Sequence, residues 1–201
     1  VRTRQHASNE SVIWHFLQEC FSEVQFEEYD VATLYRRDAV QFGSEFPATF
    51  SQFRRAMGGV AFRPTACEPD RLPEPTSFEL DGRLLQTPEE IAHPRGGSRQ
   101  GLEALKAYFG SNAASTYKDT RNNFFGEHFS TGFSPWLAQG CLSPLQIVEE
   151  LRRYESQYGA NESTGWILFE LMWREFFRWL GLHHGAMLFK FDGTSGRRPL
   201  T

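Results

Sequence analysis

Apolar positions in residues 8–22 recur at the helical period: Val12, Ile13, Phe16, Leu17, Cys20 and Phe21, behind a cap at Ser8 or Asn9. The spacing predicts an amphipathic helix. Val24-Gln25-Phe26 and Val31-Ala32-Thr33-Leu34-Tyr35 are short β-prone runs, which places a helix near one or two strands, too few to close a sheet. Pro47 followed by Phe50, Phe53 and Met57 predicts a short helix with proline in its first turn, ended by Gly58-Gly59.

Between Phe62 and Arg95 the periodicity stops. Pro64, Pro69, Pro73, Pro75, Pro88 and Pro94 fall there, a density that excludes long helices and predicts an extended linker. From Ser98 onward the pattern is helical again, with Leu102, Leu105, Tyr108 and Phe109 on one face and Gly110 as the stop. Ser134-Pro135 and Ser143-Pro144 each place a capping hydroxyl before a proline at the first helical position, and Gln146 completes a capping box for the second. Residues 163–180 predict an aromatic helix that is apolar nearly all round, and therefore central.

Composition adds two things to this picture. The 201 residues include 19 Phe and 5 Trp, a supply of flat rings that suits a packed helical core and equally suits a cleft for an aromatic cofactor. Charge is uneven: residues 1–94 hold 9 Lys+Arg against 15 Asp+Glu, net −6, while residues 95–201 hold 12 against 10, net +2. Any polyanionic partner therefore belongs to the second half. Cys20, Cys67 and Cys141 are odd in number and far apart, which indicates neither a disulfide framework nor a metal site. The Val1-Arg2-Thr3-Arg4 start lacks an apolar signal core and no run is long and uncharged enough to span a bilayer, so the chain reads as intracellular, cytoplasmic or organellar.

Three segments carry candidate chemistry. The first, Thr116 to Asn122, reads as a loop in which Tyr117, Lys118 and Arg121 hold a phosphate or a base, or form a solvated surface with one anchoring tyrosine. The second, Ser130-Thr131-Gly132-Phe133-Ser134-Pro135-Trp136, offers hydroxyls, a permissive glycine and the free amides of a helix start, an anion site unless Ser134 merely caps that helix. In the third, Glu170, Trp173 and Arg174 share a helical face; they flank an indole plate suited to a flat ligand, or form a self-neutralising ion pair beside a packing residue. His183-His184 lacks a carboxylate at ligand spacing, and no GxGxxG, P-loop or nucleophile motif is present.

The order of these motifs resembles the photolyase/cryptochrome family, most of all its cryptochrome DASH branch. The residues that carry the resemblance are Tyr117-Lys118-Asp119-Thr120-Arg121-Asn122, Ser134 through Pro144, Glu162-Ser163-Thr164, and Glu170-Leu171-Met172-Trp173-Arg174-Glu175-Phe176-Phe177-Arg178. Gly96-Gly97 with Gly101-Leu102, Thr33-Leu34-Tyr35 and Phe50-Ser51-Gln52-Phe53-Arg54 extend it over most of residues 31–191.

The resemblance implies a mostly α fold: a helical FAD-binding domain of photolyase type, preceded by the tail of an α/β antenna domain. Residues 1–45 would be the antenna remnant, 46–97 an interdomain linker with short helices, and 98–201 the N-terminal part of the FAD-binding domain. It implies that Tyr117, Ser130, Thr131, Gly132, Phe133, Ser134 and Arg174 hold FAD. Glu170 and Trp173 would meet a flipped-out pyrimidine dimer as catalytic residues, and Lys118, Arg121 and Arg178 would join them in contacting nucleic acid. The implied activity is blue-light-driven splitting of cyclobutane pyrimidine dimers by electron transfer from reduced flavin, in single-stranded or otherwise damaged DNA, with RNA a further partner and a monomer as the acting form. The resemblance also implies a pterin antenna, methenyltetrahydrofolate, whose binding is in doubt where only the tail of the antenna domain is matched. Two alternatives are a blue-light photoreceptor without repair and a non-catalytic flavin- or nucleic-acid-binding remnant.

Overall fold

The computed structural model describes residues 2–3, 8–29, 32–40, 42, 45–63, 96–126, 129–191 and 193. At the N-terminus, β1 (Arg2–Thr3) and β2 (Glu28–Tyr29) pair in parallel, with Arg2 opposite Glu28 and Thr3 opposite Tyr29. Parallel strands need a crossover, and α1 (Ser8–Cys20) lies in it. An edge-on contact of Trp14 with Phe26, centroids 5.2 Å apart, ties α1 to the run behind it.

The predicted helix is therefore present, but its apolar face is not covered: Val12, Ile13 and Phe16 are more than half exposed. The predicted strands are displaced. Residues 24–26 and 32–35 are irregular among the described residues. At 32–35 the reason is visible, because the N–H groups of Leu34 and Tyr35 that a ladder would use are taken by the Glu175 carboxylate.

Helix α2 (Phe50–Ala56) is shorter and starts later than proline placement suggests. Thr49 is the cap, in a reciprocal box with Gln52, and Pro47 stands before the cap rather than in the first turn. Gly59 takes a positive φ of 91° just past the end, a turn for which glycine is suited. The six linker prolines lie outside the described residues.

The helical body comprises α3 (Ser98–Phe109), α4 (Ala113–Thr120), α5 (Ser134–Ala138), α6 (Pro144–Tyr158) and α7 (Glu162–His184), followed by a 3-10 turn at Gly185–Phe189. Helix α7 is central: α2, α4, α6 and the 3-10 turn all pack on it. Its start is set by Asn161, whose Oδ1 accepts from Thr164 N–H and whose own N–H donates to Thr164 Oγ1; Ser143 and Gln146 form the same kind of box for α6. Buried Leu105, Tyr108, Leu142, Ile147, Leu151, Ile167 and Phe176 form the core between the helices.

One predicted feature is corrected here. Residues 113–120, which include Tyr117 and Lys118, are helical rather than a loop. The chain there buries Ala114 and Tyr117 against α7, and that tertiary contact outweighs the low intrinsic preference of Ser, Thr and Asp for helix.

Candidate functional site

The three candidate segments meet in one cleft. Tyr117 from α4, Thr131 and Phe133 from the loop entering α5, Ser134 at the start of α5, and Glu170 and Arg174 from α7 line a cavity of about 120 Å³ together with Leu137, Ile147, Ile167 and Leu171. Glu170 and Arg174 come from adjacent turns of one helix, as their spacing requires.

The polar contacts differ from the simplest reading of the sequence. Glu170 and Arg174 do not pair with each other. Glu170 Oε1 instead accepts from Arg121 Nη1 at 2.6 Å, and the Arg121 guanidinium lies over the Trp166 ring, 4.2 Å from its centroid. This pair is partly exposed, with side chains 27% and 37% accessible. Arg174 Nη1 donates to the Ala32 carbonyl at 2.7 Å. Burial, then the like charge of Arg178, pushes the Arg174 guanidinium down to about 10, with Glu175 pulling the other way. A desolvated cation of this kind is a strong donor toward an anion in the cleft.

Tyr117 is buried on the same wall. Burial first, and then the negative charge of Glu170, raise its phenol above the usual range, with Arg121 opposing. It therefore stays a neutral donor at all ordinary pH.

Ser134 does not cap α5. The cap position is Phe133, with no side-chain capping bond, so Ser134 is already in the first turn, and it is among the residues that line the cleft. Gly132 holds a φ of +65° and donates its N–H to Ser130 Oγ at 3.3 Å. Ser130 and Gly132 thus shape the loop without lining the cavity.

Trp173 is separated from the cleft by its packing. Its indole stacks on Phe50 at 3.8 Å with an interplanar angle of 13°, so one face of the predicted plate is covered. Lys118 binds Glu162 through its ammonium and donates its backbone N–H to Ser163 Oγ at 3.1 Å, tying α4 to the start of α7. Lys118 and Arg121 each already hold a carboxylate, and Arg178 lies outside the cleft lining.

Three residues of this region take partners that the sequence does not indicate. Trp166 becomes a cation–π partner only because α4 crosses α7. Tyr108 is buried edge-on to Phe133, and its Oη has no hydrogen-bond partner, an orphan polar atom beside the cleft wall. Glu175 is fully buried and accepts from Leu34 N, Tyr35 N and Trp179 Nε1, the last at 2.8 Å.

No family model matches the chain. A cryptochrome DASH of Idiomarina loihiensis is 42% identical over 189 residues, covering 92% of this chain and 42% of the relative. A cryptochrome DASH of Danio rerio is 38% identical over 204 residues, covering 93% of this chain and 39% of the relative. The crystal structure of a Synechocystis cryptochrome superposes with a TM-score of 0.77 at 30% identity, over 95% of this chain and 43% of that one. A class III photolyase of Agrobacterium tumefaciens shares the fold, with a TM-score of 0.65 at 19% identity. The chain thus spans about two fifths of the length of the curated relatives it matches. With relatives at this identity along nearly its whole length and a matching fold, the chain belongs to the photolyase/cryptochrome family, on the side of its cryptochrome DASH members.

Proposed function

We propose that this chain forms one wall of the flavin- and lesion-binding centre of a DASH-type photolyase, whose reaction is the light-driven splitting of cyclobutane pyrimidine dimers in single-stranded DNA. The observation that carries the reading is convergence: three segments far apart in the sequence contribute Tyr117, Thr131, Phe133, Ser134, Glu170 and Arg174 to the lining of one cleft.

The donor set fits part of an FAD. Tyr117, Thr131 and Ser134 hydroxyls with the Arg174 guanidinium suit a diphosphate and its adjoining ribityl chain. The cavity of about 120 Å³ is well below the roughly 300 Å³ at which pockets enclose a drug-sized ligand, so it takes a portion of the dinucleotide and not the whole. When bound, FAD supplies one-electron donation under light and takes the electron back once the cyclobutane ring has opened.

The chain's own residues do the rest. Glu170 accepts hydrogen bonds from base N–H groups of the extruded dimer and so fixes the orientation of the bases in the cleft. Arg121 holds that carboxylate in place until a ligand competes for it, and Trp173, stacked on Phe50, offers the bases only its remaining surface. Extrusion costs least from single-stranded DNA, which is why that substrate is favoured.

One observation favours a second reading, a blue-light photoreceptor without repair. Phe50 covers the Trp173 face at 3.8 Å, so a dimer meets that indole only at its remaining surface.

An absorption spectrum of the purified protein, followed by assay of a dimer-containing single-stranded oligonucleotide under blue light, tests both. Flavin bands with repair support the first reading. Flavin without repair transfers the conclusion to the photoreceptor, and a colourless protein sinks both. Within the first reading, Glu170→Ala retains flavin and slows repair by about 10²-fold, the scale for loss of substrate positioning, whereas Arg174→Ala loses flavin. Equal flavin loss in both variants contradicts these roles.

A further inference from the structure

A second, larger concavity of about 640 Å³ opens between the stretch 57–63 that follows α2 and residues of α6 and α7. It shares no lining residue with the cleft around Glu170. Tyr35, Met57, Val60, Phe62 and Leu168 supply its apolar walls. Tyr35 and Met57 are buried, and the Phe62 ring stands edge-on to Tyr35 with centroids 5.1 Å apart. The volume exceeds the roughly 300 Å³ at which pockets begin to enclose a small organic ligand.

Its charge is of one sign. Arg63 and Arg152 line it, and no acidic residue does. Neighbouring arginines of α6 differ here. Arg153 pairs with Glu150 at 2.6 Å and with Glu149 at 3.9 Å, whereas Arg152 lies over the Phe62 ring, 5.5 Å from its centroid, and meets no carboxylate among the described residues. A ring leaves the N–H fork of a guanidinium available to an acceptor. Tyr35 adds no negative charge: burial, then Glu175, pushes its phenol up to about 12, and its hydroxyl is turned to Met172 Sδ at 3.4 Å. The wall is held in place before any ligand arrives. Glu175 accepts from Tyr35 N–H, Arg63 Nε donates to the Thr33 carbonyl at 2.8 Å, and Arg63 N–H donates to the Leu34 carbonyl at 2.9 Å.

We propose that this concavity is a second ligand site, for a planar aromatic anion: a flat ring that bears a carboxylate or a phosphate ester. The ring lies against Phe62 and the aliphatic wall, and the acidic group takes the fork of Arg152, since guanidinium binds both kinds of oxyanion bidentately. An aliphatic anion forgoes the ring contact and a neutral ring forgoes the ion pair, so both bind more weakly. The inference rests on the lining of this concavity and not on the flavin or repair reading.

Isothermal titration of the whole chain with two probes tests the site, indole-3-acetate for carboxylates and adenosine monophosphate for phosphate esters. At least one binds one-to-one and at least about tenfold more tightly than acetate, inorganic phosphate or adenosine, the scale for one charge-assisted contact. Which probe binds tells which acid the site takes. Arg152→Glu lowers that affinity at least about tenfold, with the melting curve unchanged because Arg152 is exposed. Should that variant disturb folding, Ala61→Trp, at an exposed lining position, fills the concavity and makes the same test. Ser134→Trp, which blocks the other cleft, leaves the probe bound. The proposal is overturned if neither probe binds, if acetate or phosphate binds as tightly, or if both Arg152→Glu and Ala61→Trp leave affinity unchanged. Loss of binding in Ser134→Trp with none in Arg152→Glu also overturns it, because the probe then sits in the cleft.

Discussion

A carboxylate with no solvent contact needs its charge answered by donors, and Glu175 shows how. Its two oxygens accept from Leu34 N at 2.9 Å, Tyr35 N at 3.3 Å and Trp179 Nε1 at 2.8 Å. Burial raises its ionisation above the usual carboxylate range, while the Leu34, Trp179 and Tyr35 donors and then Arg174 pull it back. The folded value is thus above the unfolded one, so the native state holds the proton longer. Glu175's contribution is complete below the ordinary carboxylate range and is lost as pH rises through its raised value. Glu175→Gln is expected to flatten that part of the stability–pH curve and to lower stability by about 2–4 kcal/mol, since one amide oxygen replaces two accepting oxygens among buried donors. Urea unfolding across pH checks both effects. The sequence shows Glu175 only as an acid in an apolar run, because its donors at Leu34 and Tyr35 lie some 140 positions away.

Helices α6 and α7 follow from local rules. Asn161 and Ser143 cap, Thr164 and Gln146 close the boxes, and the apolar period does the rest. Gly165 sits exposed in the first turn of α7, with nothing within 4 Å of where a Cβ would stand. Gly165→Ala should therefore stabilise by about 0.5–1 kcal/mol, and Asn161→Ala should destabilise by about 1 kcal/mol through loss of the cap. Thermal melts of the two variants should move in opposite directions. Helix α4 did not follow local rules: its Ser, Thr, Lys and Asp residues read as a loop, and the burial of Tyr117 against α7 made it helical. That one difference changes the site, because a helix directs Tyr117 and Arg121, one turn apart, toward the same stretch of α7.

At the scale of the molecule, two neighbouring residues of α7 join segment 32–35 to the helical body. Arg174 holds the Ala32 carbonyl and Glu175 holds the Leu34 and Tyr35 amides, while Arg63 Nε donates to the Thr33 carbonyl at 2.8 Å. Leu34 is fully buried beneath them. The segment and the helices should therefore open together. Hydrogen exchange of the Leu34 and Tyr35 amides is expected at the slow rate of the α7 core, and at a much faster rate in Glu175→Gln with α7 still protected. Fast exchange of both amides in the unaltered protein would contradict the coupling.

The division between sequence and structure follows from range. Periodicity, caps and glycine stops act over a few residues, so α1, α3, α6 and α7 and the polar segments at 117–121, 130–134 and 170–174 can be read along the chain. Pairing acts across the fold. Glu170 chose Arg121 over Arg174, Arg174 turned to a backbone carbonyl, Trp173 took Phe50 as its stacking partner, and Ser134 was released from capping to face the cleft. Spacing along one helix shows which side chains share a face; which partner each one meets depends on the neighbouring helix, and only packing brings that helix to it.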